Sequence, residues 1–472
     1  MSSVATGIFV LFIAWLLTRD HALRRTGSTA LWLPVLWITI IGSRPVSVWL
    51  GYNGGNADVD QEGSPVDRLF YLVLILAAFL VLQRRNISWK RLIAQNKWLA
   101  AYFIYLGISV LWSDDSFVSF KRWVKEIGNL CMVAIILSEE DPAAALKSVL
   151  FRCSCFLIPL SVLYIKYYPD LGRYFDRWTW QYSYGGVTTN KNSLGMGLFL
   201  CGMGLFWSFI DIWSRRAEHK KDVFAHLFLI AMCFWLWHIA NSATSLACSV
   251  LSVAIMLGMR IPAVRDWVQR VGLFGVFIPV LLALMVGVLF NPLEVATESL
   301  GRNMTLTGRT FIWQRVLKSD INPVIGAGYC SFWDGARADR ISEDLGFYFR
   351  LREAHNGYLE VYLNGGLIGL ALILGVLFSN FRKAAMRVGS GSSFDAFRLA
   401  VLVGVVIYNM TESAFAGLEI LWISLLLVVV EPLASPTLNA NESLEFSEGG
   451  GDKPGPYTDS VGSRGYAAAH PG

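Results

Sequence analysis

The sequence predicts an all-α, polytopic membrane protein, and three observations carry this prediction. Of its 472 residues, 54% are hydrophobic and only 16% are charged, whereas an ordinary soluble domain carries about 25% charged residues. Apolar runs recur along the chain, and many approach the roughly 20 residues that a helix needs to cross a bilayer. Clusters of Lys and Arg separate alternate runs, as cytoplasmic turns do in membrane proteins. This pattern does not fit a soluble fold.

The apolar runs predict 12 or 13 membrane helices. The first, fifth and last runs are shorter than a typical span, so the number of helices depends on which of them cross the membrane. The runs are residues 4–17, 30–50, 69–82, 98–112, 127–138, 149–165, 193–213, 223–240, 243–259, 271–290, 358–380, 397–415 and 418–430. Beyond them the composition changes to Pro, Ser, Gly and acidic residues. We therefore expect a membrane domain over residues 1–430 and a disordered cytoplasmic tail over residues 431–472.

The positions of the cations predict which turns face the cytoplasm. Alternate turns are rich in Lys and Arg, whereas the acidic turn at 51–67 falls on the opposite side of the membrane. The long segment 291–357 also falls on that outer side, and we expect it to be a periplasmic loop that contains short helices. The cytoplasmic clusters are Arg19/Arg24/Arg25, Arg84/Arg85/Lys90/Arg91/Lys97, Arg215/Arg216/Lys220/Lys221, Arg260/Arg265/Arg270 and Arg382/Lys383/Arg387.

Charge and cysteine content exclude several classes of protein. The net charge of +5 comes from these turns and forms no basic stripe, so no nucleic-acid partner is expected. The seven cysteines include no CxxC pair, and most lie in apolar runs where a small hydrophobe packs well. Asp58 and Asp60 have the spacing of a carboxylate pair, but such short acidic patterns arise by chance. No metal site is predicted.

Three polar clusters on the outer side are the candidates for chemistry. The first includes the GVTTNKNSLG segment at 186–195, where capping residues and Lys191 precede a helix whose free N–H groups could attract a phosphate. An ordinary capped, glycine-rich loop would have the same composition. Arg173 lies in the same loop. Arg122, in the KRWVK segment at 121–125, could either meet lipid phosphates or close over a substrate.

The second and third clusters lie in and after the long loop. Arg309 and Arg315 belong to the TGRTFIWQRVL segment at 307–317, and a guanidinium can hold a phosphate in bidentate fashion. The alternative is a surface arginine paired with an acid. His355 precedes a predicted helix, and its ordinary pKa suits proton transfer near neutral pH. A histidine at a helix start is also commonly structural.

Together these segments resemble the superfamily of O-antigen ligases and exopolysaccharide polymerases, which are bacterial membrane glycosyltransferases. The resemblance covers most of residues 30–430. It rests on the order of five segments along the scaffold: GVTTNKNSLG at 186–195, TGRTFIWQRVL at 307–317, NPVIGAGYCSF at 322–332, AHNGYLEVYLNGGLIGL at 354–370 and NMTES at 409–413.

The resemblance implies a reaction at the periplasmic face of the inner membrane, with a glycan on undecaprenyl pyrophosphate as the donor. An acceptor hydroxyl would attack the anomeric carbon with inversion, and undecaprenyl pyrophosphate would leave. The acceptor is lipid A core in a ligase and another lipid-linked glycan in a polymerase. The resemblance implies no cofactor and no required metal. Membrane lipid and other polysaccharide assembly proteins are the further expected partners.

The resemblance also assigns roles to residues. The matching histidine is His355, which would assist the acceptor hydroxyl, and the matching loop arginine is Arg309, which would hold the pyrophosphate. The second cationic site is open between three basic residues of the outer side. The residues expected to bind substrate are Arg122, Arg173, Lys191, Arg315 and Asn356.

Two alternatives stand beside this interpretation. A flippase or transporter of lipid-linked oligosaccharides would share the helices and the basic residues, but we find no convincing repeat between the two halves of the chain, as many transporters have. Within the enzyme class, the SRPVSVW segment at 43–49 and the LWSDDSFVSFKRWVKEIG segment at 111–128 look more like the exopolysaccharide branch. We therefore favour a polymerase over an O-antigen ligase.

Overall fold

A computed structural model of the protein describes residues 2–20, 27–52, 64–85, 87–176, 181–272, 275 and 307–432. These residues are almost entirely helical, which confirms the predicted all-α class. In chain order the helices are α1 (Ser2–Leu17), α2 (Trp32–Ile41), α3 (Val46–Trp49), α4 (Pro65–Arg84), α5 (Trp89–Gln95), α6 (Lys97–Ser109), α7 (Ser116–Leu137), α8 (Pro142–Tyr167), α9 (Pro169–Gly172), α10 (Lys191–Trp213), α11 (Lys220–Ala240), α12 (Ala243–Gly258), α13 (Pro262–Val271), α14 (Thr307–Val316), α15 (Gly335–Asp344), α16 (Gly357–Arg387), α17 (Ser393–Tyr408) and α18 (Ile420–Val429). Strands β1 (Arg173–Asp176) and β2 (Gln181–Tyr184) form an antiparallel hairpin, which no pattern noted in the sequence indicates.

Five helices are long and apolar enough to cross a membrane: α4, α8, α10, α11 and α16. Helices α12 and α13 meet at an angle of 102° and count as a sixth span only if they are taken together. Shorter apolar helices include α1, α2, α6 and α18. The polytopic membrane fold is therefore confirmed. The count of 12 or 13 spans stays a prediction, since most of the run 271–290 lies outside the described residues.

Two further predictions fall where the chain is not described. The predicted tail at 431–472 lies outside the described residues from 433 onwards, and so does the Asp58–Asp60 pair. The part of the long loop that is described, 307–357, contains α14 and α15, as expected for a loop with short helices.

The described part of the long loop has a small hydrophobic core of its own. Ile312 and Val316 of α14 pack with Phe332, Ile341 and Leu363, all of them at most 1% exposed. Since Leu363 belongs to the first turns of α16, this core joins the loop to the start of a membrane helix. The loop is thereby held over the end of the helix bundle.

Helix α16 is interrupted at Gly366, whose φ of +61° lies in the left-handed region that favours glycine. The backbone of the NPVIGAG segment bonds into this interruption: the Gly328 N–H donates to the Asn364 carbonyl at 2.9 Å, and the Ile368 N–H donates to the Val324 carbonyl at 3.1 Å. A side chain at Gly366 would collide with the Val324 backbone. The break therefore explains the glycine at position 366 of the NGGLIGL sequence.

Candidate active site

A cavity of about 1090 Å³ lies where one end of α7, α10 and α16 meets the β1–β2 hairpin and the segment between α17 and α18. Three of the predicted site residues line it, although they are far apart in sequence: Arg122 from α7, Lys191 from the first turn of α10 and His355 from the end of the long loop. The cavity is large enough for part of a lipid-linked glycan, because ligand pockets usually measure about 300–1,000 Å³.

His355 faces two carboxylates. Its Nδ1 atom lies 3.1 Å from Glu353 Oε1 and 3.8 Å from Glu412 Oε2. The backbone of His355 has a φ of +51°, which is uncommon for a residue with a side chain and recurs at functional sites. This conformation immediately precedes α16, so the helix start fixes the direction of the imidazole.

The surroundings of His355 act on its pKa in opposite directions. Burial lowers the pKa, because the charged imidazolium loses water. The Glu353 and Glu412 carboxylates favour the protonated ring and outweigh this loss, while Arg309 opposes them, so the pKa of His355 is raised above its ordinary value. A carboxylate at Nδ1 also favours the tautomer that carries its proton there. The lone pair of the neutral ring is then on Nε2.

The structure brings Arg309 to the same cluster. Its Nη2 atom lies 3.3 Å from Glu412 Oε1, and both side chains are largely buried. Glu412 therefore stands between the guanidinium and the imidazole. Arg309 itself is not among the described side chains that line the cavity, and it reaches the site through Glu412.

Two of the sequence segments behind the resemblance are joined by hydrogen bonds. Asn356 caps α16, since its side chain accepts from the Tyr358 and Leu359 N–H groups. The Asn356 N–H donates to Ser413 Oγ at 3.0 Å, and the Gly357 N–H donates to the Asn409 carbonyl at 2.8 Å. The NMTES segment is thus fastened to the AHNG segment, which places Glu412 beside His355.

The cations of the cavity differ in their partners. Arg122 pairs with Asp334 at 2.7 Å and also donates to the Cys330 carbonyl. Lys191 pairs with Asp176 at 2.9 Å. Lys125 also lines the cavity, one turn after Arg122, and within the described part of the chain it makes no ion pair. Its ammonium group lies over the Tyr71 ring, 5.7 Å from the ring centroid.

The remaining predicted substrate-binding residues do not line the cavity within the described chain. Arg173 donates to the Ile165 carbonyl and lies over the Tyr184 ring at 5.5 Å. Arg315 is paired with Asp344, as the alternative interpretation of a surface arginine expects. The side chain of Asn356 is occupied in capping α16. Roles of these residues in binding stay predictions.

Three residues of this site were not among the predicted site residues: Glu353, Glu412 and Lys125. A signal existed for Glu412, because an acidic residue at the end of an apolar run is costly unless it is paired or functional. For Lys125 the signal was its spacing of three residues from Arg122, which places both on one helical face. Glu353 is two residues from His355, and that spacing alone does not predict contact.

By distance, Glu353, His355 and Glu412 could hold a metal ion, since one ligand atom from each lies within 4.8 Å of the others. The Arg309 guanidinium, 3.3 Å from Glu412, already supplies a positive charge there. This arrangement favours a hydrogen-bonded cluster over a cation site. The expectation that no metal is required stays a prediction.

Comparison with known proteins relates part of the chain to a known family. Residues 224–374 match the family model described as O-Antigen ligase. These residues include α14, the loop core and His355. The chain is also similar to the exopolysaccharide production protein ExoQ of Rhizobium meliloti (strain 1021), with 24% identity over 346 residues, covering 70% of this chain and 73% of that protein. The match agrees with the predicted resemblance over this part of the chain. The protein is a polytopic, helical membrane protein whose residues 224–374 are similar to the O-antigen ligase family, a family of enzymes that transfer lipid-linked glycans.

Proposed function

We propose that the protein transfers a glycan from undecaprenyl pyrophosphate to an acceptor hydroxyl at the periplasmic face of the inner membrane. One observation carries the proposal: His355, with two carboxylates at Nδ1, lies in the wall of a large cavity that also contains Arg122 and Lys125. A base and a pair of cations in one cavity are the two elements that this reaction needs.

His355 is the proposed general base. The acceptor hydroxyl is a poor nucleophile, and a base within hydrogen-bond reach typically accelerates such a reaction about 100-fold to 10,000-fold. As the acceptor oxygen bonds to the anomeric carbon, its proton passes to Nε2 of His355. Glu353 and Glu412 stabilise the imidazolium that forms, because both lie near its Nδ1 atom. Arg309 holds Glu412 in this position.

The leaving group is the pyrophosphate of the donor. The bond between the anomeric carbon and the phosphate oxygen breaks, and its electron pair leaves with undecaprenyl pyrophosphate, so negative charge develops on that oxygen. Arg122 and Lys125 lie on the cavity wall formed by α7, and fixed cations stabilise such charge where water is partly excluded. Attack from the side opposite the leaving group inverts the anomeric carbon.

We assign the protein to exopolysaccharide biosynthesis, with O-antigen biosynthesis as the alternative. The acceptor is then a second lipid-linked glycan, and the reaction is a polymerisation. Support comes from the similarity to ExoQ, a protein named for exopolysaccharide production, and from the segments at 43–49 and 111–128. An assay with both acceptors, scored for polymer against lipid A conjugate, separates a polymerase from a ligase.

The test of the proposal is the His355→Ala variant in detergent. We expect it to lose most turnover, by a factor of about 100 or more, while binding of the undecaprenyl-pyrophosphate glycan is retained. His238→Ala is the matched control, because His238 is an exposed histidine that does not line the cavity. Full turnover by His355→Ala at equal protein concentration would refute the role of the base. Formation of a glycosidic bond in detergent, with no second compartment, also distinguishes the enzyme from a flippase.

A further inference from the structure

The β1–β2 hairpin forms one side of the cavity mouth. Its register pairs Phe175 with Tyr182 and Arg173 with Tyr184. Since side chains alternate between the two faces of a strand, these four residues share one face. Tyr174 and Asp176 lie on the other.

The second face fastens the hairpin to the start of α10. The Lys191 N–H donates to the Tyr174 hydroxyl at 3.1 Å, and the Lys191 ammonium pairs with Asp176 at 2.9 Å. The ammonium group of Lys191 is therefore already neutralised by a carboxylate of the protein. These contacts fix the hairpin beside the cavity through this second face.

That first face exposes two aromatic rings. Phe175 is 46% exposed and Tyr182 is 75% exposed. Their ring centroids are 5.8 Å apart and their planes meet at 80°, so the rings form two sides of a corner. Phe175 also lines the cavity, which makes the corner continuous with the space that His355 faces.

Polar side chains line the same cavity as Phe175. Thr189, Asn192 and Ser193 line the cavity at the start of α10. The side chains of Asn192 and Ser193 make no hydrogen bond to any described residue. Amide and hydroxyl groups of this kind can bind the hydroxyls of a ligand whose apolar face rests on an aromatic ring.

We propose that the Phe175–Tyr182 corner, with Asn192, binds a pyranose ring of the glycan substrate. A pyranose combines a flat C–H face with equatorial hydroxyls. The corner supplies aromatic faces, and Asn192 in the same cavity supplies an amide that makes no hydrogen bond to a described residue. A surface built only to enter lipid would not need the amide and hydroxyl groups. This proposal rests on the proposed function. It adds a binding site for the sugar chain, separate from the place at His355 where the glycosidic bond would form. The sugar belongs either to the donor or to the acceptor glycan.

The test compares Phe175→Leu/Tyr182→Leu with Phe175→Trp/Tyr182→Phe in detergent. Turnover is measured with lipid-linked glycan extracted from cells that make the polymer, once with the donor varied and once with the acceptor varied. We expect the leucine pair to raise KM about tenfold in one of the two arms, with kcat retained. If KM rises when the donor is varied, the corner binds the donor glycan; if KM rises when the acceptor is varied, it binds the acceptor glycan. The aromatic pair should keep the KM of the wild type.

Trp267→Ala is the matched control, since Trp267 is exposed to 49% and lies on α13, away from the cavity lining. Equal KM for the leucine and aromatic pairs in both arms overturns the proposal, and so does a fall in kcat without a change in KM. Failure of the proposed function has a different signature, because then the wild-type protein itself forms no glycosidic bond.

Discussion

Two arginine–carboxylate pairs in this molecule have similar chemistry and different surroundings. Arg152 of α8 pairs with Asp20 at 2.6 Å, and its side chain is 0% exposed while that of Asp20 is 3% exposed. Ser148 donates to the same carboxylate at 2.7 Å, and Trp32 covers the guanidinium. Arg309 pairs with Glu412 at 3.3 Å beside His355, and Glu412 lines the cavity.

The difference shows that a charge inside a membrane bundle is a poor guide to function until its neighbours are known. The Arg152 pair is enclosed by α1, α2 and α8 and contacts no cavity residue in the described chain, so its role is to hold helices together. The Glu412 pair has one side open to a cavity and a titratable ring beside it. Both pairs satisfy the rule that charges in or beside a membrane are paired, and in the described chain only the second one also borders the cavity.

The largest expected effect is on the enclosed pair. Arg152→Ala leaves Asp20 buried without its cation, which typically costs about 3–5 kcal/mol. We expect a steep fall in the yield of folded protein and in its thermal unfolding temperature in detergent. The double variant Asp20→Leu/Arg152→Met should recover much of that stability, because an apolar replacement leaves no uncompensated charge. Wild-type stability in Arg152→Ala would contradict the structural role.

An intermediate effect is expected for the cations of the cavity. Arg122 is paired with Asp334 and lines the cavity, whereas Arg337 is paired with Asp114 and is not among the described residues that line it. We expect Arg122→Gln, and separately Lys125→Gln, to raise the KM for the lipid-linked donor about tenfold. Arg337→Gln is the control and should leave KM unchanged. Equal KM values for all three variants would contradict the idea that only the cations lining the cavity bind the donor.

The smallest effect is a shift along the pH axis. The raised pKa of His355 keeps the ring protonated at pH values where an ordinary histidine is already neutral, so the base form appears only as the pH rises through this raised value. The acidic limb of kcat/KM should therefore lie above about pH 6.5. Glu412→Gln removes a negative charge near Nδ1, lowers the pKa and moves the limb to lower pH. Glu343→Gln, an exposed loop residue, is the control; an unmoved limb in Glu412→Gln would count against the coupling.

Much of the fold could be predicted from the sequence, because long apolar helices carry their own signal. The run at 193–213 corresponds to α10, and Asn190 caps it as the composition indicates. The sequence predicts the end of a helix poorly where polarity changes within that helix. The run at 127–138, for example, corresponds only to the apolar half of α7, whose first half carries Arg122 and Lys125. The hairpin has strands of only four residues, too short for periodicity to identify.

The candidate site could be predicted only in part. His355 and Arg309 stand out because their residue types and the family segments agree, and the structure places both in one cluster. The proximity of Glu412 to His355 depends on a hydrogen bond between segments more than 50 residues apart, Asn356 to Ser413. The pattern of residues within either segment does not predict this contact. The same holds for Lys191, whose partner Asp176 lies on the unpredicted hairpin.

The interruption at Gly366 frees backbone groups of α16 for the loop on both sides of the break. Before it, the Asn364 carbonyl accepts from the Gly328 N–H; after it, the Leu367 and Ile368 N–H groups donate to the Pro323 and Val324 carbonyls. His355, just before α16, is held from a further side because the Asn356 N–H donates to Ser413. The loop is thus anchored to the same helix whose start carries the imidazole, so His355 keeps its position relative to the apolar span.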